Sequence, residues 1–426
     1  MGSQPDGPEW YQTGLGHVWL PYAQMKTEPP PIPVVAAMGS RLMLADGREL
    51  VDGIGSWWTA CHGYGHPHIV GAVQRQLEVM PHVMFGGLAH EPALTLARRL
   101  TDLLGPPFER VFFSESGSVA VEVAMKMAVQ AWLNRGERGR TRFLAFRGGY
   151  HGDTFAAMSV CDPDEGMHAL FAGTLPEQVI VDLPRDAAGE AALEAALKAH
   201  GDQLAGIIVE PLVQGAGGMI FHDPAVLRRL RHAADRHGLL LICDEIFTGF
   251  GRTGSMFAFE QAGLRPDIVT LGKALTGGTS PLAATVATSA VAAAFWSDDL
   301  GKALMHGPTF MANPLGCAAA NASLDLFETE PRLEQVGAIS RQLEEELEPC
   351  RGRPGVRDVR VRGAIGAVEL DCVPDLAALK ARFVADGVWI RPFGRTIYLT
   401  PAFTISADEL SALTGAIDRA TQQLAR

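Results

Sequence analysis

The sequence predicts an α/β fold in which a large domain is joined to a smaller α+β domain. The chain has 426 residues, and at roughly 150 residues per domain this length predicts two or three domains, or one large core with a satellite. Through the middle of the chain, nearly continuous apolar runs alternate with helical patterns. Runs of this kind are typical of a parallel sheet that helices cover on both faces. Short strand-like runs follow a helical stretch near the end, which is typical of an α+β unit.

The elements of the large domain are predicted in chain order. A strand within Arg110–Ser118 breaks at a Ser-Gly pair and leads into a helix over Val119–Trp132. A second helix is predicted over Pro224–His237. Further strands are predicted in four apolar runs, which are Arg142–Phe146, Leu204–Pro211, Gly238–Glu245 and part of Pro266–Leu275.

The remaining segments predict the smaller domain. Arg41–Gly53 alternates in polarity around an Asp-Gly pair, which predicts a hairpin. A helical stretch from about Asn313 to Leu347 precedes short strands within 355–371 and 387–399. We therefore divide the chain into an N-terminal segment of the small domain (1–60), a large α/β domain (61–314) and a C-terminal α+β part of the small domain (315–426).

Composition and charge exclude several classes of protein. The net charge of −12 and the lack of clustered cations argue against a nucleic-acid partner. Six scattered cysteines without a CxxC pair predict reduced thiols rather than disulfides or a zinc site. The N-terminus lacks the apolar core of a signal peptide, and the longest apolar run, Pro281–Trp296, is too short to span a bilayer. We predict a cytoplasmic protein without membrane or metal, and we interpret His62, His66 and His68 as part of a turn.

Lys273 is the leading candidate for chemistry. It follows an apolar strand after one glycine, where partial burial lowers an amine's pKa and favours Schiff-base chemistry. A solvated lysine at a strand end is the commoner situation. Asp244 ends another apolar run, where a carboxylate needs a charged or hydrogen-bonded partner. Such a carboxylate can hold the pyridine nitrogen of pyridoxal phosphate protonated. The alternatives are that Asp244 caps the following turn or that it binds a metal ion together with Glu245.

Two loops suit a phosphorylated, planar cofactor. Ser116, Gly117 and Ser118 lie at a strand–helix junction, which offers hydroxyl and backbone N–H groups to a phosphate; an ordinary Ser cap is the alternative. Tyr150 lies in a glycine-rich loop after a strand and is placed to stack on a planar ring, or is simply a loop tyrosine. His151 and His306 are further candidates for lining a site.

A glycine motif suggests a different class of protein. Gly249–Gly254 matches GxGxxG, with Asp267 beyond it, and would predict an NAD-linked oxidoreductase. That fingerprint needs its first glycine at a strand end and a helix behind it. Here Asp244 and Glu245 intervene and would repel a pyrophosphate, so we reject the dinucleotide interpretation.

The segments ICDEIFTGFGRTG and PDIVTLGKALTGG resemble the signature of the class III aminotransferases that depend on pyridoxal phosphate. The spacing of 29 residues between Asp244 and Lys273 matches together with the glycines. The resemblance covers nearly the whole chain. It implies a fold of type I with a mixed, mostly parallel seven-stranded sheet, and a homodimer with shared active sites.

Further segments resemble the subgroup of biotin biosynthesis that takes its amino group from S-adenosylmethionine and gives it to 8-amino-7-oxononanoate. They are HVWLPYAQM, LVDGIGSWWTACHGYGHP, HVMFGGLAHEPA, SESGSVAVEVAMKMA, FRGGYHGDTFAAMSVCDP, MHGPTFMANPLGCAAANASL and GVWIRPFG. The product would be 7,8-diaminononanoate.

The resemblance also implies roles for individual residues. Lys273 would be the Schiff-base lysine and proton shuttle, and Asp244 would pair with the pyridine nitrogen. The other residues implied to contact the cofactor are Ser116, Gly117 and Ser118 at the phosphate, Tyr150 on the ring, Glu210 in support, and Pro308 and Thr309 at the phosphate of the neighbouring subunit. The residues implied to contact substrate are Tyr22, Trp57, Trp58, Tyr150, Arg252, Lys273, Gly307 and Arg391.

The sequence is compatible with several activities. A sibling subgroup makes the same product with lysine as donor, and other class III enzymes act on ornithine, 4-aminobutyrate or a diamine. The biotin-pathway acceptor is an apolar chain that ends in a carboxylate. Binding it requires aromatic side chains along the chain and, at a distance, an arginine that pairs with the carboxylate. Trp57, Tyr22 and Arg391 therefore favour this acceptor. A non-catalytic binding module would keep its function without Lys273.

Overall fold

The computed structural model describes residues 7–164 and 169–424. Residues 1–6, which belong to the predicted N-terminal segment, lie outside this range. The chain divides into two compact units. One comprises the described residues of Met1–His66 and Gly337–Arg426, and the other is Pro67–Val336.

The elements are numbered in chain order. The strands are β1 (Val34–Met38), β2 (Arg41–Leu44), β3 (Glu49–Asp52), β4 (Phe108–Ser114), β5 (Arg142–Phe146), β6 (Val179–Val181), β7 (Leu204–Val209), β8 (Val213–Gln214), β9 (Ile220–Phe221), β10 (Leu240–Asp244), β11 (Ile268–Leu271), β12 (Ala283–Thr288), β13 (Val356–Arg362), β14 (Ile365–Leu370), β15 (Val388–Trp389) and β16 (Thr396–Leu399). The helices are α1 (Glu9–Gly14), α2 (Gly55–Trp58), α3 (Pro67–Val79), α4 (Glu91–Leu104), α5 (Gly117–Asn134), α6 (Phe155–Ser159), α7 (Ala187–His200), α8 (Pro224–His237), α9 (Ser289–Ala292), α10 (Pro314–Thr329), α11 (Arg332–Leu347), α12 (Leu376–Ala385) and α13 (Ala407–Leu424).

The larger unit is built on a seven-stranded sheet in the order β4-β12-β11-β10-β7-β5-β6. The strands run parallel except β12, which pairs antiparallel with both β4 and β11. Every residue of β7, β10, β11 and β12 is buried, as expected when both faces of a sheet are covered. Helix α5 covers one face through residues such as Val121, Ala124 and Ala128, which join the core with Ile208 and Ile242. The predicted α/β fold with a mostly parallel sheet is confirmed.

The smaller unit contains two sheets. The first has the order β1-β2-β3-β15, and the second has the order β13-β14-β16. Strands β2 and β3 form the hairpin at the Asp-Gly turn, where Gly47 has a φ of 87°, a conformation that glycine adopts without a steric penalty. Strand β15 pairs in parallel with β3, so one sheet takes strands from both ends of the chain.

The boundaries between the two units lie between residues 66 and 67 and between residues 336 and 337. The sequence analysis predicted them between residues 60 and 61 and between residues 314 and 315. The difference at the second boundary is due to α10. Its residues Ala319, Ala322 and Leu326 pack against Ile69 of α3, which places 315–336 with the larger unit.

Within the described residues, no helix combines the length and the apolar character needed to cross a bilayer. The same part of the chain contains no group of three or more His, Cys, Asp or Glu side chains arranged to hold a metal ion.

Glu245, directly after β10, is a fully buried acid that makes stability depend on pH. Its carboxylate accepts hydrogen bonds from the Thr248 hydroxyl (2.6 Å) and the Phe259 N–H (2.9 Å). Burial nevertheless raises the pKa of Glu245 from 4.5 to about 7. The folded state therefore holds this proton more tightly than the unfolded chain. Its contribution to stability is complete below pH 4.5 and is lost as the pH rises through about 7.

We expect Glu245→Gln to remove this dependence. The free energy of unfolding of the native protein, relative to the variant, should fall by about 3 kcal/mol between pH 4.5 and pH 8. Denaturant titrations at a series of pH values measure the difference. Glu328→Gln is the control, because it removes a carboxylate whose side chain is 67% exposed and whose ion pair at the surface contributes at most about 1 kcal/mol to stability. A flat profile for Glu245→Gln would contradict the prediction.

Candidate active site

The carboxyl ends of the parallel strands meet at one edge of the large sheet, where open α/β sheets bind their ligands. Asp244 is the last residue of β10, and Lys273 follows β11 after Gly272. Glu210 directly follows β7, and Tyr150 lies in the loop after β5. The fold therefore brings together four of the predicted residues from four strand ends.

Asp244 is a buried carboxylate with several hydrogen-bond donors. Its Oδ2 lies 2.7 Å from Nδ1 of His151, and its Oδ1 accepts from the Thr270 hydroxyl at 2.9 Å and from the Ile246 N–H at 3.2 Å. Burial opposes a charged His151, but the hydrogen bond and charge of Asp244, together with the charge of Glu210, outweigh it and raise the pKa of this imidazole. The raised pKa favours the imidazolium form of His151, in which Nδ1–H donates to Asp244.

Glu210 is the second buried acid at this edge. Its two oxygens accept from the N–H groups of Tyr150 and Gly215, each at 2.9 Å. Burial raises the pKa of Glu210 to about 7, against the opposing charge of His151 and with the added repulsion of Asp244. The carboxylate thus fixes the backbone of the Tyr150 loop and adds negative potential around His151.

Lys273 lies among these acids on a strained backbone. Its φ is 47°, a region that L-residues rarely adopt. Burial lowers the pKa of the Lys273 amine, while the charges of Asp244, Glu210 and Asp153 oppose this shift. The net lowering increases the fraction of neutral, nucleophilic amine near neutral pH.

The residues predicted to bind the phosphate, Ser116, Gly117 and Ser118, lie at the start of α5. The Ser116 hydroxyl caps the helix by accepting the Val119 N–H at 3.3 Å, and the Ser118 hydroxyl accepts the Asp153 N–H at 3.1 Å. A Cβ on Gly117 would lie 3.0 Å from Ile246, and one on Gly152 would lie 2.3 Å from the Ser118 Oγ. Gly152 therefore allows the Tyr150 loop to approach the start of α5 closely, and Gly117 allows that helix start to lie against Ile246. Backbone N–H groups at such a helix start attract anions.

Three of the predicted substrate residues meet in the smaller unit. The rings of Tyr22 and Trp57 are edge to face, with centroids 6.2 Å apart. The guanidinium carbon of Arg391 lies 5.1 Å from the Trp57 ring centroid. The fourth residue, Trp58, is only 7% exposed and lies edge-on to Tyr398 at 6.2 Å.

The other predicted residues lie elsewhere in the larger unit. Arg252 is 1% exposed. Gly307, Pro308 and Thr309 lie in the irregular segment between Lys302 and Pro314, where Gly307 and Thr309 are exposed.

The glycine motif 249–254 follows Asp244 and Glu245 in an irregular segment. The next helix is a five-residue 3₁₀ helix, Ala258–Ala262. A dinucleotide fingerprint requires an α-helix that opens directly behind its glycines. The structure therefore agrees with the rejection of the dinucleotide interpretation.

Sequence reasoning missed Thr270. It is opposite Asp244 in the register of β10 and β11, and its hydroxyl fixes the carboxylate. The signal was a single threonine inside the apolar run of β11. Reasoning from the sequence gave His151 only as a candidate for lining the site. Its contact with Asp244 spans 93 residues of chain, which no local pattern reveals.

Comparison with known proteins identifies the family to which this chain belongs. The model of the aminotransferase class-III family matches residues 22–421. The chain belongs to the class-III aminotransferase family, so the resemblance noted in the sequence is confirmed and the protein is an aminotransferase.

The similarity extends to particular relatives. The adenosylmethionine-8-amino-7-oxononanoate aminotransferase of Corynebacterium glutamicum is 46% identical over 422 residues, which cover 98% of this chain and 99% of that protein. The crystal structure of an enzyme of the same name from Methanocaldococcus jannaschii matches with a TM-score of 0.92 at 32% identity, covering 97% and 98% of the two chains. An amine transaminase from an uncultivated Pseudomonas species, solved in a form with bound PLP, matches with a TM-score of 0.88 at 33% identity, covering 96% and 98%.

Proposed function

We propose that this aminotransferase moves the α-amino group of S-adenosylmethionine to 8-amino-7-oxononanoate, with pyridoxal phosphate as cofactor. The product is 7,8-diaminononanoate, an intermediate of biotin biosynthesis. The names of relatives that match over nearly the full chain support these substrates. The observation that carries the proposal is the lysine at the sheet edge, whose lowered pKa and nearby buried Asp244 suit amine chemistry.

The residues at the sheet edge fit pyridoxal phosphate. Gly117 and Ser118 at the start of an 18-residue helix suit its phosphate, with Ser116 fixing that helix start. The buried carboxylate of Asp244 suits a protonated pyridine nitrogen, and Tyr150 suits the face of the ring. When bound, this cofactor supplies an electron sink that makes the α-C–H of an attached amine acidic.

Lys273 is the group that moves protons. As a neutral amine it removes the proton from the α-carbon of the donor, and as an ammonium it gives a proton back, acting as base and acid in turn. In the second half of the reaction it delivers a proton to carbon 7 of the acceptor. The negative charges of Asp244, Glu210 and Asp153 oppose the effect of burial and stabilise the cationic states of this lysine.

The aromatic group of the smaller unit suits the two substrates. Trp57 offers an apolar face to the carbon chain of the acceptor, and Arg391 offers a guanidinium to its carboxylate. Tyr22 suits the adenine of the donor. Trp58, Arg252 and Gly307 complete the proposed substrate residues.

We further propose a cytoplasmic homodimer with shared active sites. The larger unit leaves several large apolar side chains exposed, two of them close in sequence to Pro308 and Thr309, and association with a second subunit would bury such side chains. The exposed residues are Met84, Leu88, Leu94, Met305 and Phe310. In this assembly Pro308 and Thr309, beside Phe310, would serve the phosphate of the partner's cofactor.

Absorbance of the purified protein tests cofactor and donor together. The protein loaded with pyridoxal phosphate should be yellow, and S-adenosylmethionine alone should convert it to the colourless, aminated state. Parallel samples with lysine and with ornithine should stay yellow. Conversion by lysine or ornithine instead would overturn the proposed donor, and a protein that stays colourless with the cofactor would overturn the proposed site. Adding 8-amino-7-oxononanoate to the aminated protein should restore the yellow form.

A further inference from the structure

Four consecutive residues of the smaller unit form a left-handed turn. The φ angles of Gly55, Ser56, Trp57 and Trp58 are 53°, 46°, 54° and 74°. The turn closes with helix-type hydrogen bonds from the Trp58 N–H to the Ile54 carbonyl at 2.9 Å and from the Thr59 N–H to the Gly55 carbonyl at 2.8 Å. In this conformation the Cβ of an L-residue crowds the following carbonyl oxygen. Three non-glycine residues adopting it in sequence require strong support from their surroundings.

Asp52 supplies support at the start of the turn. Its carboxylate accepts the N–H groups of Ile54 at 2.8 Å and of Gly55 and Ser56 at 3.2 Å each. The Tyr64 hydroxyl donates to the same carboxylate at 2.5 Å and also lies 2.5 Å from the Ser56 hydroxyl. Asp52 is only 2% exposed, so these bonds are made away from competing water and each is costly to lose.

The end of strand β16 supports the turn from the other side. The Thr400 N–H donates to the Gly53 carbonyl at 2.7 Å, and its hydroxyl donates to the Ile54 carbonyl at 3.2 Å. A Cβ on Gly55 would lie 3.1 Å from the Thr400 carbonyl oxygen. The first residue of the turn is therefore restricted to glycine both by its φ and by space.

The left-handed turn places the indole rings of Trp57 and Trp58 in different surroundings. Trp57 is 37% exposed and lies beside Tyr22 and Arg391, whereas Trp58 is 7% exposed and packs on Tyr398. An ordinary right-handed turn would direct both side chains differently. The position of the Trp57 ring beside Arg391 thus depends on a backbone conformation that residues 56–58 do not prefer by themselves.

We infer that Asp52 is a positioning residue that sets the affinity for the acceptor by holding this left-handed turn. The identity of the acceptor rests on the function proposed above. The hydrogen bonds of Asp52 described above all go to the turn and to Tyr64. It acts through the placement of Trp57 against Arg391, the pair proposed to take an apolar chain that ends in a carboxylate.

The test compares Asp52→Asn with the native protein, both loaded with cofactor. We expect the KM for 8-amino-7-oxononanoate to rise about 10- to 100-fold, because a buried hydrogen-bonding group left unsatisfied in the turn has an energetic cost of about this size. The Kd of nonanoate, measured by quenching of tryptophan fluorescence, should rise in parallel. The kcat should change less than about threefold, and the absorbance of the bound cofactor should be unchanged.

Asp375→Asn is the matched control. Asp375 is also a carboxylate of the smaller unit that accepts two backbone N–H groups, those of Ala377 and Ala378 at 3.0 Å. This variant should leave both the KM and the nonanoate Kd unchanged. If Asp52→Asn lowers the melting temperature but keeps the native KM and Kd, Asp52 is merely structural and the inference fails.

Tyr64→Phe keeps the inference testable if Asp52→Asn does not fold. It removes one donor to the carboxylate and should raise the nonanoate Kd about 3- to 10-fold; an unchanged Kd would contradict the inference. Where Asp52→Asn does fold, adding Ser56→Gly to it should lower the Kd again, because glycine adopts positive φ at no steric cost. A native protein that fails to use either substrate would overturn the proposed function, whereas the nonanoate Kd values would still decide the role of Asp52.

Discussion

Lys273→Ala should abolish turnover while leaving the protein folded. We expect the rate to fall by about 10⁴-fold or more, because the variant loses both the nucleophilic amine and the general base. The surrounding carboxylates remain, and Gly117 and Ser118, which are proposed to hold the phosphate, are untouched. The variant should therefore still bind pyridoxal phosphate, but without the absorbance band that a bond to the lysine amine gives the cofactor. Steady-state rates and absorbance spectra measure the two effects.

Lys198→Ala is the control for this experiment. Lys198 is exposed on α7, so its loss should change neither rate nor colour. A Lys273→Ala protein with near-native turnover would refute the assignment of Lys273 and would favour a non-catalytic binding module.

Asp244→Asn should have the second-largest effect. The asparagine keeps the shape of the side chain but leaves the His151 imidazolium buried without its anionic partner. Breaking a buried pair of charges in this way costs about 3–5 kcal/mol. If about that amount is lost from the transition state, the rate falls by a factor of about 10² to 5 × 10³. We also expect the cofactor to be held more weakly, which titration of the cofactor-free protein measures.

Asp267→Asn separates this effect from a general loss of stability. Asp267 lies near the opposite ends of the same two strands, where its carboxylate accepts the Leu241 N–H and an Arg231 N–H, each at 2.8 Å. Its replacement should lower the melting temperature without changing kcat. Similar kcat values for Asp244→Asn and the native protein would show that the carboxylate does not act on the cofactor.

Within the large sheet, the strands with a strong apolar signal were predictable, whereas β6 and β12 were not. Strands β7, β10 and β11 are fully buried and rich in Ile, Val and Leu, which leave a nearly continuous signal in the sequence. Strand β12 has the sequence AATVAT, and alanine has little preference for strands. Strand β6 has only three residues. Both escaped prediction, although β12 lies between β4 and β11 inside the sheet.

The candidate site was predictable where its signals are local. Ser116 caps α5 as expected, with a helix that begins at Gly117, two residues before the predicted start. The left-handed conformation of Ser56, Trp57 and Trp58 was not predictable, because these residue types disfavour it by themselves. Only the contacts of Asp52 and Thr400, the latter far along the chain, explain it.

The antiparallel strand β12 has a consequence for how the protein folds. Strands β11 and β12 pair as neighbours in sequence, with Leu271 opposite Ala284, and Lys273 lies in the loop that connects them. Closing so short a loop has a small entropic cost, and contacts of low sequence separation form early in folding. The bond between His151 and Asp244, in contrast, joins residues 93 positions apart. We therefore expect the lysine loop to form first during folding, and its charged surroundings to assemble around it later.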